Sequence, residues 1–171
     1  VKPFKIAMVC TGNICRSPMA EAVATEMLIQ AAMSEFVTVE SFGTTGYHVG
    51  ESAAPPAVAA LRRRGWPTRP HRARVMRPKN LAEMDLVLCA DRENLAELTQ
   101  MERAVADSGK VWLLRSFDPT AKPGDDEVPD PYGRPDFAFD ASLTLIERSC
   151  RGMVAKLEEA RAAQLGRPAS V

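Results

Sequence analysis

The sequence is poor in the residues that hold metal ions. It has two histidines, and its four cysteines, at 10, 15, 89 and 150, nowhere form a C-x-x-C pair. The common zinc frameworks are therefore excluded, and neither a metal nor a cofactor is expected. Neither charge is in excess, with 22 basic and 22 acidic side chains, so no overall field draws the molecule to nucleic acid or to acidic membranes. No apolar run approaches the length of a bilayer span. The residues up to Cys10 offer only a short apolar run after Lys5 and no small-residue cleavage site, which argues against a secretory leader at this end. Scattered cysteines fit free thiols in a reducing cytoplasm.

What is present is 171 residues, 46% of them hydrophobic, enough for one sizeable core and too few to make two the default. One domain is expected over residues 1–160, with 161–171 as a fraying tail. Lys5 to Cys10 reads as a strand that runs into a glycine-containing loop. Ala20, Val23, Ala24, Met27, Leu28 and Ala31 then fall at helical spacing, with Ser17 suited to the N-cap and Pro18 to the first helical position. Val37 to Phe42, Leu86 to Cys89 and Lys110 to Leu114 read as further strands. Pro55 to Arg64 reads as a helix stopped by Gly65, and Asp91 can cap a helix through Leu95 and Leu98. Phe139, Leu143, Ile146, Cys150, Met153, Val154 and Leu157 share one face of a closing helix, in which Gly152 is expected to cost about 1 kcal/mol relative to alanine. Alternating strands and helices predict a three-layer α/β fold, a parallel sheet covered on both faces with ligands at the carboxyl ends of its strands. Arg115 to Pro135 reads as a long irregular loop, and loops of that length are commonly functional.

The strongest chemical signal is Cys10-Thr11-Gly12-Asn13-Ile14-Cys15-Arg16-Ser17. A cysteine and an arginine five residues apart, between a strand and a helix, supply a nucleophile, an anion nest of main-chain amides and a guanidinium. The positive field of such a loop favours an ionised sulfur at Cys10. Arg16 can grip two oxygens of a phosphate or another oxyanion at once, where lysine would act as a point charge. Gly12 and Asn13 tolerate the positive φ that a tight loop needs. A bare C-x5-R is weak, since Cys10 could be a small buried hydrophobe and Arg16 a surface residue. The Gly-Asn inside it, the Ser-Pro after it and the strand-to-helix context favour the phosphate loop, and no nucleotide-type G-x-x-x-x-G-K-[ST] competes.

With those residues in hand, the chain resembles the low-molecular-weight protein tyrosine phosphatases. The likeness extends beyond the loop, through Val9 to Glu21, Ser41 to Gly50, Leu61 to Gly65, His71 to Arg74, Asp85 to Asn94 and Asp130 to Gly133. The resemblance implies a phosphatase-I-like fold with a central four-stranded parallel sheet flanked by helices, and hydrolysis of phosphotyrosine and aryl phosphates through a phosphocysteine on Cys10. It assigns Arg16 as phosphate clamp, Ser17 as hydroxyl donor to the sulfur, and Asp130, in Asp130-Pro131-Tyr132-Gly133, as general acid and base. An aryloxide leaves more easily when protonated, which is why such chemistry needs an acid. Taken alone, Asp130 reads equally as a turn residue before proline; Asp118, Asp125, Asp126 and Asp136 read as solvated loop residues or caps and as fallback acids.

By the same resemblance Ser41 and His71 brace Asn13 from outside the loop, although His71 alone reads equally as a core or loop histidine. Ile14, Tyr47 and Tyr132 are expected as walls of a slot for a flat ring, with His48 at the rim. Cys15 resembles the family's resolving thiol, able to trap oxidised Cys10 as a disulfide, while Cys89 and Cys150 read as core residues. The implied partners are tyrosine-phosphorylated proteins and, among bacterial relatives, an opposing tyrosine kinase. Two departures from the family pattern stand out: Gly133 follows Tyr132 where a second tyrosine is usual, and Ala54 replaces a capping aspartate. A thioredoxin-linked arsenate reductase is a competing reading through Cys89, weakened because Ala82, Glu83 and Met84 supply no partner thiol. A phosphoarginine phosphatase is weakened by Ile14 where those enzymes carry threonine, and a non-catalytic phosphopeptide-binding module by the presence of Cys10, Ser17 and Asp130 together.

Overall fold

A computed structural model describes residues 2–105 and 108–166. Four strands, β1 (Phe4–Cys10), β2 (Val37–Gly43), β3 (Leu86–Cys89) and β4 (Val111–Leu113), form one parallel sheet in the order β2-β1-β3-β4. The helices are α1 (Arg16–Gln30), α2 (Pro55–Arg63), α3 (Pro78–Glu83), α4 (Arg92–Val105) and α5 (Asp136–Leu165), with a 3-10 turn at Leu114–Phe117. This is the three-layer arrangement expected. Along β1 the side chains alternate: Ile6, Met8 and Cys10 join the core shared with α1 and α5, whereas Ala7 and Val9 join a second core with Leu81 of α3 and Leu98 of α4.

The order reverses between β1 and β3, so the loop after β1 opens at a topological switch point, where open α/β sheets bind ligands. Val9 of β1 pairs with Cys89 of β3, which sets the Cys10 loop beside Asp91. Ala90 donates to Val9 O and Val128 to Ala90 O, bringing Val128 of the long loop to the same carboxyl end of the sheet.

The element readings hold with informative exceptions. The short helix α3 was not expected from the sequence. Helix α1 begins at Arg16 with Cys15 in the N-cap position and no side-chain cap, so Pro18 is its third residue rather than its first, and Ser17 is not the N-cap and has its hydroxyl free for another task. Helix α2 ends as read: Gly65, at φ +76°, lets its own amide reach Arg62 O and that of Trp66 reach Leu61 O. The arginines near that end brace α5, Arg63 pairing with Asp140 and Arg64 with Glu147.

Gly152 has a stronger reason than its propensity suggests. A Cβ built there would lie 1.9 Å from the carbonyl oxygen of Phe117, so α5 packs against the 3-10 turn only where a side chain is missing. Asp118 is not solvated as expected, being buried against Arg115 Nε at 2.9 Å. Burial alone would raise its pKa, yet bonds from the Thr120 hydroxyl and amide and from Arg115 hold it below the usual carboxylate range. Arg115 also binds Asp125 and Glu127 O, organising the irregular loop from within. Helix α5 runs through Leu165, into the segment expected to fray, and residues 167–171 lie outside the described ones. Among the described residues no helix is long and apolar enough to cross a membrane.

Candidate active site

The loop from Thr11 to Cys15 connects the end of β1 to the first turn of α1. Among the described residues, none of the main-chain amides from Thr11 through Ser17 donates to a protein acceptor. An uncapped helix end leaves its first N–H groups open by geometry, and here the loop before it adds more. Such a run of free donors beside a helix dipole suits an anion.

Asn13 carries the loop's shape. It sits at φ +57°, is fully buried, and uses its side chain three ways. Its Nδ2 donates to Ser17 Oγ at 2.8 Å and to Ser41 Oγ at 3.0 Å, and its Oδ1 accepts from the Arg74 amide at 3.0 Å. His71 Nε2 lies 2.7 Å from Asn13 O; a carbonyl can only accept, so Nε2 carries the proton. Ser41 Oγ in turn donates a hydrogen bond to Glu21, whose carboxylate also faces His71 Nδ1 at 4.0 Å. Gly12 does not adopt positive φ; it is small because a Cβ there would meet His48 at 2.9 Å.

Cys10 Sγ lies 3.0 Å from Ser17 Oγ. Arg16 is buried, with Nη1 held by Asp91 at 2.7 Å and by Val128 O at 2.9 Å. Its Nη2 makes a longer bond of 3.4 Å to Thr11 Oγ1 and lies 3.7 Å from Asp130 Oδ2, and its Nε is buried without a partner. One edge of the guanidinium is therefore anchored while the other keeps donors in reserve. Asn94, also buried, donates to Thr11 Oγ1, and its amide receives the Asp91 cap.

A cavity of about 220 Å³ lies over the loop, lined by Cys10, Thr11, Gly12, Ile14, Cys15, Arg16, Thr45, Tyr47, His48, Asp130 and Tyr132. Tyr47 and Tyr132 are 84% and 58% exposed, so they stand as open walls, and the His48 and Tyr132 rings lie tilted with centroids 5.5 Å apart. Asp130 turns one oxygen to the Tyr132 amide at 3.1 Å, the turn use read from sequence, and the other toward Arg16. Of the loop's acidic residues it alone lines the cavity: Asp118 and Asp125 bind Arg115, Asp126 pairs with Arg92, and Asp136 starts α5.

Cys15 is buried at the wall of the same cavity, and burial, reinforced by Cys10 and Asp130 and opposed by Arg16, pushes its thiol up to about 12. Cys89 is buried in the core on the opposite face of the sheet from Cys10, and its thiol is also pushed up, first by burial. The residues that sequence reasoning passed over are Glu21, Asn94 and the Val128 carbonyl, together with the use of Asp91 as an anchor for Arg16. Among the described residues no cluster of His, Cys, Asp and Glu could hold a metal ion.

The sheet order, the layers and the C-x5-R loop at the switch point define a class, the three-layer α/β proteins with a cysteine loop under a helix N-terminus. The family model for low molecular weight phosphotyrosine protein phosphatase matches residues 5–163, and the chain belongs to that family of hydrolases. It is 38% identical over 156 residues to the low molecular weight protein-tyrosine-phosphatase of Streptomyces coelicolor, covering 91% of this chain and 94% of that one. It is 37% identical over 151 residues to the low molecular weight protein-tyrosine phosphatase A of Mycobacterium tuberculosis, covering 88% and 90%. Among solved structures, a protein tyrosine phosphatase of Entamoeba histolytica with Hepes in its active site superposes with a TM-score of 0.84 at 30% identity, over 92% of this chain and 99% of the other.

Proposed function

We propose that this chain hydrolyses phosphotyrosine on proteins, and aryl phosphates generally, through a phosphocysteine on Cys10. The observation that carries the reading is the pairing of acceptor-free amides from Thr11 through Ser17 with the buried, unpartnered Nε of Arg16, all around one cysteine sulfur. In the first step the Cys10 thiolate attacks phosphorus, the bond from phosphorus to the aryl oxygen breaks, and Asp130 gives its proton to the departing oxygen. The loop amides and Arg16 hold the three equatorial oxygens as charge redistributes over them. In the second step Asp130 takes a proton from water as the oxygen attacks phosphorus. The phosphorus–sulfur bond then breaks to return the thiolate and release inorganic phosphate. Ser17 steadies the sulfur as it leaves, and Tyr47, Tyr132 and Ile14 select a flat ring over a short alkyl ester. The site needs no metal or cofactor for these steps.

Oxidised Cys10 would be rescued by Cys15: sulfenic acid and thiol condense to a disulfide with loss of water, which a reductant reverses. The remaining expectations follow the same line, namely action in a cytoplasm on phosphoproteins made by a tyrosine kinase. The arsenate reductase reading loses support because Cys89 faces the other core, across the sheet from Cys10. The test is turnover of p-nitrophenyl phosphate and a phosphotyrosyl peptide by the parent, Cys10→Ser and Asp130→Ala, with phosphoarginine and arsenate plus thioredoxin as comparisons. The parent should hydrolyse the aryl esters, Cys10→Ser should be inert, and Asp130→Ala should lose most on poor leaving groups. Faster turnover of phosphoarginine or arsenate would displace the reading.

A further inference from the structure

The cavity over Cys10 has a neighbour of the same size. Asp130 lines both it and a second cavity of about 220 Å³, whose other walls include Pro129, Pro131, Phe137, Ala141 and Leu145. The wall between them is fixed, because Ser142 Oγ of α5 donates to Pro129 O at 2.8 Å. Phe137, in the first turn of α5, is 65% exposed, so a large ring is left uncovered at this place. Exposed apolar surface concentrated beside a binding cavity marks a contact surface. Arg134 lines the same cavity and enters no ion pair among the described residues, leaving its donors for the carbonyls of a passing chain.

We propose that this second cavity seats a large apolar side chain of the phosphoprotein substrate, within about three residues of the phosphotyrosine. The proposal rests on the reading of the Cys10 cavity as the phosphotyrosine site. Asp130 is the wall that the two cavities share, and an extended residue spans roughly 3.3–3.6 Å, so for a ring seated over Cys10 a near neighbour in the chain reaches across that wall. The lining is mostly proline, alanine, leucine and phenylalanine, which select an apolar side chain by fit, and the contact would add to the affinity of peptides while leaving small aryl esters untouched.

The experiment compares kcat/KM for p-nitrophenyl phosphate with that for phosphotyrosyl peptides in an alanine background, with leucine scanned over three positions on each side. The parent, Phe137→Ala and Ala141→Phe are assayed together. Phe137 and Ala141 are both exposed on α5, so both variants should fold. One leucine position should raise the parent's kcat/KM at least about fivefold, the scale of an apolar group gaining a pocket. Ala141→Phe, which fills the cavity, should erase that gain, Phe137→Ala should reduce it, and p-nitrophenyl phosphate turnover should stay within about twofold in both. Equal use of all peptides, a preference that survives Ala141→Phe, or a concentration-dependent dimer that Ala141→Phe abolishes would each overturn the proposal. Failure of the parent to hydrolyse p-nitrophenyl phosphate would instead remove the phosphatase reading, and the two failures are distinguishable.

Discussion

Ser17 Oγ lies 3.0 Å from Cys10 Sγ and accepts from Asn13 Nδ2 at 2.8 Å, which leaves its own proton free for the sulfur. An amide elsewhere in the loop thus occupies one lone pair of the hydroxyl and leaves its proton to donate to an ionised sulfur. A hydrogen bond to a charged group contributes about 1.5–3 kcal/mol, so Ser17→Ala should lower kcat about 10- to 150-fold with little change in KM. Steady-state kinetics on an aryl phosphate decides it: a raised KM at constant kcat would mean that the hydroxyl binds substrate rather than steadying sulfur.

Asp91 does two jobs with its two oxygens, capping α4 through the Asn94 amide and holding Arg16 Nη1. Asp91→Asn keeps an oxygen for the cap and removes the charge facing the guanidinium. Inhibition by inorganic phosphate should weaken about tenfold, on the scale of one charge-assisted bond, while the melting temperature moves little. A large loss of stability with an unchanged inhibition constant would show that Asp91 serves the fold alone.

Gly152→Ala separates propensity from packing. In an exposed helix the change should stabilise by about 1 kcal/mol, but the new Cβ would stand 1.9 Å from Phe117 O. Overpacking of this kind costs about 1–3 kcal/mol, so urea denaturation should show net destabilisation. A stabilised variant would mean that the turn at Leu114–Phe117 moves freely.

The raised thiol of Cys15, buried and facing two negative groups, should keep it protonated and unreactive to iodoacetamide at neutral pH, along with Cys89 and Cys150. A single alkylated cysteine, Cys10, is expected by peptide mapping. If Cys15 condenses with oxidised Cys10 as proposed, peroxide inactivation should be reversed by dithiothreitol in the parent and become irreversible faster in Cys15→Ser. Equal recovery of the two proteins would exclude Cys15 as the resolving thiol.

The position of the Cys10 loop was legible because its parts are consecutive: a strand, eight residues and a helix carry their meaning in local spacing. Sheet and layers followed from alternation and helical periodicity in the same way. What could not be read arises where the chain meets itself. Glu21 is one turn into α1 and looks like any surface acid until the pairing of β1 with β2 brings Ser41 beside it. Val128 acts through its carbonyl, which no side chain announces. Gly152 looked like a weak helix residue until Phe117 arrived from another segment, and Gly12 was read for its backbone freedom when its small size is what His48 requires.

The most direct test of the account is rapid-quench mapping of the parent during turnover of a 32P-labelled phosphotyrosyl peptide. The label should appear on the peptide containing Cys10, decay at the rate of phosphate release, and be absent in Cys10→Ser. Release of phosphate with no labelled Cys10, or undiminished turnover by Cys10→Ser, would contradict it.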